Sequence, residues 1–244
     1  MKHICKALVM LMVFASVIAA QAQPRSELPL YKQLTSTNEN MSVAGLNKVL
    51  SESERCSAVA LFMASGVAFR EKRIEDAGYL FYVAKLRANF DLTVFPPTAT
   101  NAASPVVAFN ALNEQLGNSI NPAVMADPKA FAKIIERVKK WNPVLTANYD
   151  PGWTFAKKAD EKQARAALQA DTKKFMDIMG PLSILLQDNR YFSAFKVMQN
   201  YNLSVGHPPP SKAAYDNAVQ TILQIEKAKG VQVLTLAIQR QQQQ

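Results

Sequence analysis

Beyond its first 22 residues the chain holds one histidine, His207, in "GHPPP", and one cysteine, Cys56, in "RCSAVALF". A Ser-His-Asp or Cys-His relay needs a histidine oriented by a carboxylate beside the nucleophile. A histidine ahead of three prolines is a poor place for that. A zinc site of the usual kind needs several His or Cys ligands, and no calcium-loop spacing is present. The expected catalytic set is therefore empty, and no metal or cofactor is implied. Carboxylates remain. Glu75-Asp76, Asp160-Glu161 and Asp188 fall at helix starts or turns, where capping and the helix dipole account for them. Glu114, in "NALNEQLGNS", is the residue a cell-wall hydrolase would use, provided it lies in a deep aromatic-lined cleft.

Binding chemistry is better supplied. The stretch "WNPVLTANYDPGWTFAKK" carries Trp141, Tyr149, Trp153 and Phe155 with two prolines and Gly152, so it reads as a structured loop. Aromatic rings beside turn residues make good anchors for a partner, and Tyr149, Trp153 and Phe155 are the candidate partner-binding residues. The same rings could instead fold back and close a helical core. The basic residues between Lys129 and Lys140 suit an acidic partner or, more plainly, a solvated helix face. "RYFSAFKVMQNYN" reads as core plus rim.

The first residues, "MKHICKALVMLMVFASVIAAQAQ", have a basic start, a short apolar run and a small-x-small site at Ala20-Gln21-Ala22. This is the pattern of a secretory signal peptide, 1–22, cut after Ala22. Its removal takes the formal charge from +9 to +7 through loss of Lys2 and Lys6, and leaves Cys56 without an intramolecular disulfide partner. Cys56 lies in an apolar helical pattern, as a small core residue would. The expected location is periplasmic, with an extracellular one as alternative, and no later segment is long and apolar enough to span a bilayer. The basic residues are dispersed and no recognition motif accompanies them, so no nucleic-acid partner is expected.

The elements that must position these residues are helical. Residues 23–42 read as an extended lead-in with two prolines, 43–240 as a single α-helical domain, and 241–244 as a frayed glutamine tail. A cap at Ser51 or Ser53 opens the first long helix. "RIEDAGYLFYVAKLRANF" joins charged flanks to an unbroken apolar centre; Ile74, Ala77, Phe81, Ala84 and Ala88 keep the helical period. A helix apolar nearly all round is buried between neighbours. Further helices start at Ser104-Pro105, Asp127-Pro128, about Ala159, and Ser211, the last ending at Gly230. Pro181 is expected to interrupt one of them, and "SVGHPPPS" to be a stiff linker. Residues 231–240 fit either a helix or a strand. The fold class is all-α with roughly seven to nine helices, arranged as a multi-helix bundle or a short irregular array of helical hairpins.

Leu61, Ala64, Ser65 and Ala68 on one helix, with Ala77, Phe81 and Ala84 on the next, resemble a single tetratricopeptide or Sel1-type helical hairpin. The resemblance covers Glu54 to Phe90; the turn glycine and closing proline of that repeat are absent, and no second copy follows. In outline the chain is similar to periplasmic immunity proteins, which combine a cleaved signal, a mid-sized helical body and no catalytic inventory. That likeness implies a protein partner, an acidic or toxic effector, which the chain would bind and neutralise. The alternatives are a carboxylate-dependent cell-wall hydrolase and a periplasmic chaperone or scaffold.

Overall fold

The run "GYLFYV" lies inside a 21-residue helix. In the computed structural model, which describes residues 24–202 and 209–235, this helix, α4, spans Ile74–Val94, and every residue from Ala77 to Ala84 is buried. A single buried stripe would hide only every third or fourth position. Burial at eight consecutive positions requires neighbours on all sides, and α4 packs against four helices: α3 (Ala58–Arg70), α5 (Pro105–Met125), α6 (Pro128–Lys140) and α7 (Glu161–Leu185). Ahead of these, α1 (Leu28–Leu34) and α2 (Glu39–Ser51) cover α3. After them, α8 (Asn189–Asn202) and α9 (Lys212–Lys229) pack on each other. The chain is thus all-α: among the described residues there are nine α-helices and one isolated bridge, Pro97 to Phe155. None of the described helices is long and apolar enough to cross a membrane.

Local chemistry sets most helix ends. Ser104, Asp127, Asp160 and Ser211 each accept a hydrogen bond from an amide of the first turn, as N-caps do. Gly230 closes α9 in the left-handed conformation at φ 65°. Lys72 takes the same conformation (φ 59°) after α3, where Arg73 N–H bonds Ala68 O and Lys72 N–H bonds Phe69 O. The α3–α4 turn therefore makes a glycine-type closure with a lysine, which accounts for the missing turn glycine.

Three expectations need correction. The lead-in expected to be extended over 23–42 is largely helical where it is described, from residue 24 on. A 3-10 turn at Arg25–Glu27 leads into α1, where Leu30, Tyr31 and Leu34 are buried, and Asn38 caps α2. Pro29 sits in the first turn of α1, where its missing N–H costs nothing. The cap of α3 is Ser57, not Ser51 or Ser53, because residues 52–57 form a turn beforehand. Pro181 does not interrupt its helix; α7 runs through it to Leu185, and α5 likewise runs through Pro122. Residues 231–235 form no strand. The expected signal peptide, His207 with most of its linker, and the tail beyond Thr235 lie outside the described residues.

Close approach at α4 depends on Gly78. A methyl there would stand 2.7 Å from Val124 Cγ2 and 2.9 Å from Ile134 Cδ1, on α5 and α6. Val124 is β-branched and has little freedom to turn away. Gly78→Ala gains about 1 kcal/mol of helix propensity but overpacks a site where such insertions cost about 1–3 kcal/mol. The expected outcome is a net loss of stability, read as a lower urea midpoint with an unchanged slope; a raised midpoint would show that α5 and α6 retreat freely.

Candidate functional site

The loop 141–160 crosses the C-terminal end of α4 and is fastened along its length. Trp141 Nε1 donates to Ser53 O (3.4 Å), Val144 N to Glu54 O (2.7 Å), Trp153 Nε1 to Phe95 O (2.8 Å) and Ala159 N to Val94 O (2.7 Å). Thr98 N donates to Thr154 O at 3.1 Å, which ties the loop after α4 to the aromatic one. Gly152, at φ 87°, makes the turn, and its amide bonds Asp150 Oδ1 at 2.8 Å. An L side chain would be strained there.

Tyr149, Trp153 and Phe155 are brought together around Phe95. Tyr149 and Phe155 lie 5.8 and 5.0 Å from its ring centroid, while Trp153 stands edge-on to Phe109 of α5 at 5.8 Å. All three rings are half-buried against the core. At the start of α5, ahead of the Phe109 that Trp153 meets, Val106 and Val107 are 40% and 48% exposed. This end of the molecule therefore combines half-covered aromatic rings with uncovered aliphatic side chains.

Beneath the loop lies a buried charge cluster that the sequence reading missed. Arg87 and Asp91, 0% and 1% exposed, are four residues apart on α4 and pair at 2.8 Å. Arg87 Nη1 donates to Glu54 O (3.0 Å), its guanidinium rests 4.4 Å from the Tyr149 ring centroid, and the Tyr149 hydroxyl donates to Asp91 Oδ2. Burial works against the Arg87 charge, but Asp91 and Tyr149 outweigh it and hold the guanidinium above its ordinary value. Burial lifts the Tyr149 phenol well above its usual range, and Asp91 adds to the effect. A second carboxylate, Glu27, accepts from Ser57 N (2.9 Å), Ser57 Oγ and the Tyr31 hydroxyl (2.7 Å). It thereby pins the chain before α1 to the N-terminus of α3, where a negative charge is favoured. An Arg and an Asp at i and i+4 in the C-terminal half of a helix with a largely apolar centre were the available signal.

The remaining candidates are placed as follows. Cys56 is buried, and burial, with Glu27 and Glu52 adding to it, pushes its thiol up to about 12. Glu114 stands exposed on α5. Glu75 pairs with Lys133, and Asp76 with Arg73 and Arg137; Asp188 accepts from the amides of Arg190 and Tyr191 at the start of α8. Among the described residues no group of three His, Cys, Asp or Glu side chains could hold a metal ion. No protein-family model matches the chain, and neither a curated protein nor a solved structure matches it.

Asp91→Asn preserves shape but leaves Arg87 charged in the interior without its counter-ion, and stability should fall by about 3 kcal/mol or more. The double variant Arg87→Met/Asp91→Leu should lose clearly less than the two single changes added together; additive losses in urea denaturation would show that the two residues act independently. For Cys56 the sign is fixed by the raised pKa. The folded thiol keeps its proton up to about 12, whereas the unfolded one releases it from 9.0 upward. Its contribution is present below pH 9 and is lost as pH rises toward 12, by up to about 1.4 kcal/mol per pH unit. The wild type should therefore lose stability between pH 9 and 11 more steeply than Cys56→Ala. Equal slopes would refute this.

Proposed function

We propose that this chain is an exported protein that acts by binding another protein rather than by chemistry of its own. The narrower role it fits is that of a periplasmic immunity protein that covers and neutralises an antibacterial effector. One observation carries the reading: Val106 and Val107 stay 40% and 48% exposed at the start of the helix whose Phe109 meets the Trp153 ring, and the loop that carries Trp153 and Phe155 is fastened at every few residues. Uncovered apolar side chains beside aromatic anchors on a fixed support are the usual core of a protein interface. The secretory pattern of residues 1–22 supports the location, and the helical hairpin of α3 and α4 supports the likeness to Sel1-type proteins. Of the three candidate rings, Tyr149 is also fastened through its hydroxyl to Asp91, which supports a role for it in holding the loop, while Trp153 and Phe155 are half-buried and are read as the contact residues.

The tagged mature protein is to be used to capture partners from its own cells' envelope extract, read by mass spectrometry. One stoichiometric partner encoded beside this gene is expected. Val107→Gln, on an exposed position that the fold does not need, should weaken that complex by about tenfold, and Trp153→Ala by at least as much. Degradation of purified peptidoglycan by the wild type, abolished by Glu114→Gln, would overturn the reading in favour of a hydrolase.

A further inference from the structure

The aromatic loop is bracketed by lysines. Lys139 and Lys140 end α6, Lys157 precedes α7, and Lys162 lies in its first turn; all four are exposed. None has a carboxylate within ion-pair distance among the described residues, although most cations around them do: Lys133 pairs with Glu75, Arg137 with Asp76, and both Lys158 and Arg165 with Glu161. Arg165 Nη1 also bonds Pro143 O (3.3 Å), which ties the start of α7 to the segment just after α6, so both ends of the lysine-flanked loop are held together. Several of the nearby acids are already engaged. Glu161 is shared by two cations, Asp160 caps Lys162 N, Asp150 bonds Gly152 N, and Asp91 is buried.

The helix dipole explains only half of this. Lys139 and Lys140 sit at the C-terminal end of α6, where a cation is favoured. Lys162 sits in the first turn of α7, at its positive end, where a cation is disfavoured, and Lys157 lies in the loop ahead of it; neither gains an ion pair among the described residues. The fold gives no return for cations in that place, and an interface would. We infer that the face built from the aromatic loop and the start of α5 docks on an acidic surface of a partner protein, with Lys139, Lys140, Lys157 and Lys162 as its charged rim. This rests on the binding reading above and adds the chemistry of the partner. A rim of this kind acts mainly on encounter: it steers an acidic partner in, and the steering fades as salt screens it. The apolar centre then holds the partner.

The test titrates the folded, ¹⁵N-labelled mature protein with hexaglutamate at low ionic strength. Amide shifts are expected to gather at residues 139–142 and 154–163. Reversal of the four rim lysines (Lys139→Glu, Lys140→Glu, Lys157→Glu, Lys162→Glu) should weaken binding by about tenfold or more. Reversal of four exposed lysines elsewhere, Lys48, Lys196, Lys227 and Lys229, should change it by less than about twofold, which also controls for net charge. Shifts spread evenly over all lysines, no binding at all, or equal losses in both variants would overturn the inference. So would phosphatidylglycerol vesicles bound more tightly than hexaglutamate and released by the rim variant, because the rim would then serve a membrane surface. Val107→Gln separates the two levels: it should leave hexaglutamate binding unchanged while weakening the captured envelope partner. Loss of the rim effect alone leaves the binding reading standing, and loss of the Val107 effect alone removes that reading and not the acidic preference.

Discussion

The buried pair of Arg87 and Asp91 is the constraint on which the rest of this end of the molecule depends. Taking two charges out of water costs several kcal/mol per ion even after relaxation, and only close geometry with further hydrogen bonds offsets it. Here the offset comes from three parts of the chain that are distant in sequence. The turn before α3 supplies Glu54 O, α4 supplies both charges, and the aromatic loop supplies the Tyr149 hydroxyl and ring. None can shift without exposing a charge to an apolar interior. Arg87 Nη2 still has no protein acceptor, so satisfaction of the pair is incomplete. A well-packed apolar pair could be as stable, but it would lack the direction of these bonds. In this chain the pair fixes where the loop lies.

Glu27 repeats the device on a smaller scale, and Glu226 repeats it at the other end. Glu226, fully buried, accepts from the Tyr191 hydroxyl on α8, from the amides of Leu234 and Thr235, and from the Thr235 hydroxyl. One carboxylate thus joins α8, α9 and the segment that follows α9. Between this region and the core around α4, α7 has no fully buried residue from Gln169 to Pro181, and it carries Gly180-Pro181 where the two regions meet. Phe175, Met176 and Met179 cover that stretch only partly. Pro181 withholds one backbone hydrogen bond, so the helix is weakest where its burial is least.

Legibility from sequence followed the range of the interactions. Caps at Ser104, Asp127 and Ser211 and the stop at Gly230 are set by neighbours one to five residues away, and a reader of the sequence sees them all. The buried character of α4 was legible because apolar residues on every face leave no other position for a helix. α1 was not, since a seven-residue helix with a proline in its first turn has no local stability of its own; it forms because Leu30, Tyr31 and Leu34 land on the core. Ser57 was overlooked because its capping competes with Ser51 and Ser53 on equal local terms, and the tie is broken by Glu27, thirty residues away. The i, i+4 spacing of Arg87 and Asp91 was visible, but the partner that defines its role, Tyr149, is separated by 58 residues and no periodicity links them.

These supports decide what the aromatic loop can contribute to binding. A floppy loop would lose conformational freedom on association, about 0.5–1.5 kcal/mol for each side chain immobilised. In this loop the freedom is already gone: Tyr149 is held by Asp91, and the Trp153 indole by Phe95 O. The same bonds engage the polar atoms of both rings within the protein, so on the proposed reading those atoms are not donors to a partner. On the proposed reading, affinity must therefore come from apolar contact at Val106, Val107, Trp153 and Phe155, and selectivity from the cations around them. Such an apolar centre with an exposed lysine rim would divide the two tasks, the rim acting on the rate of encounter and the centre on the lifetime of the complex.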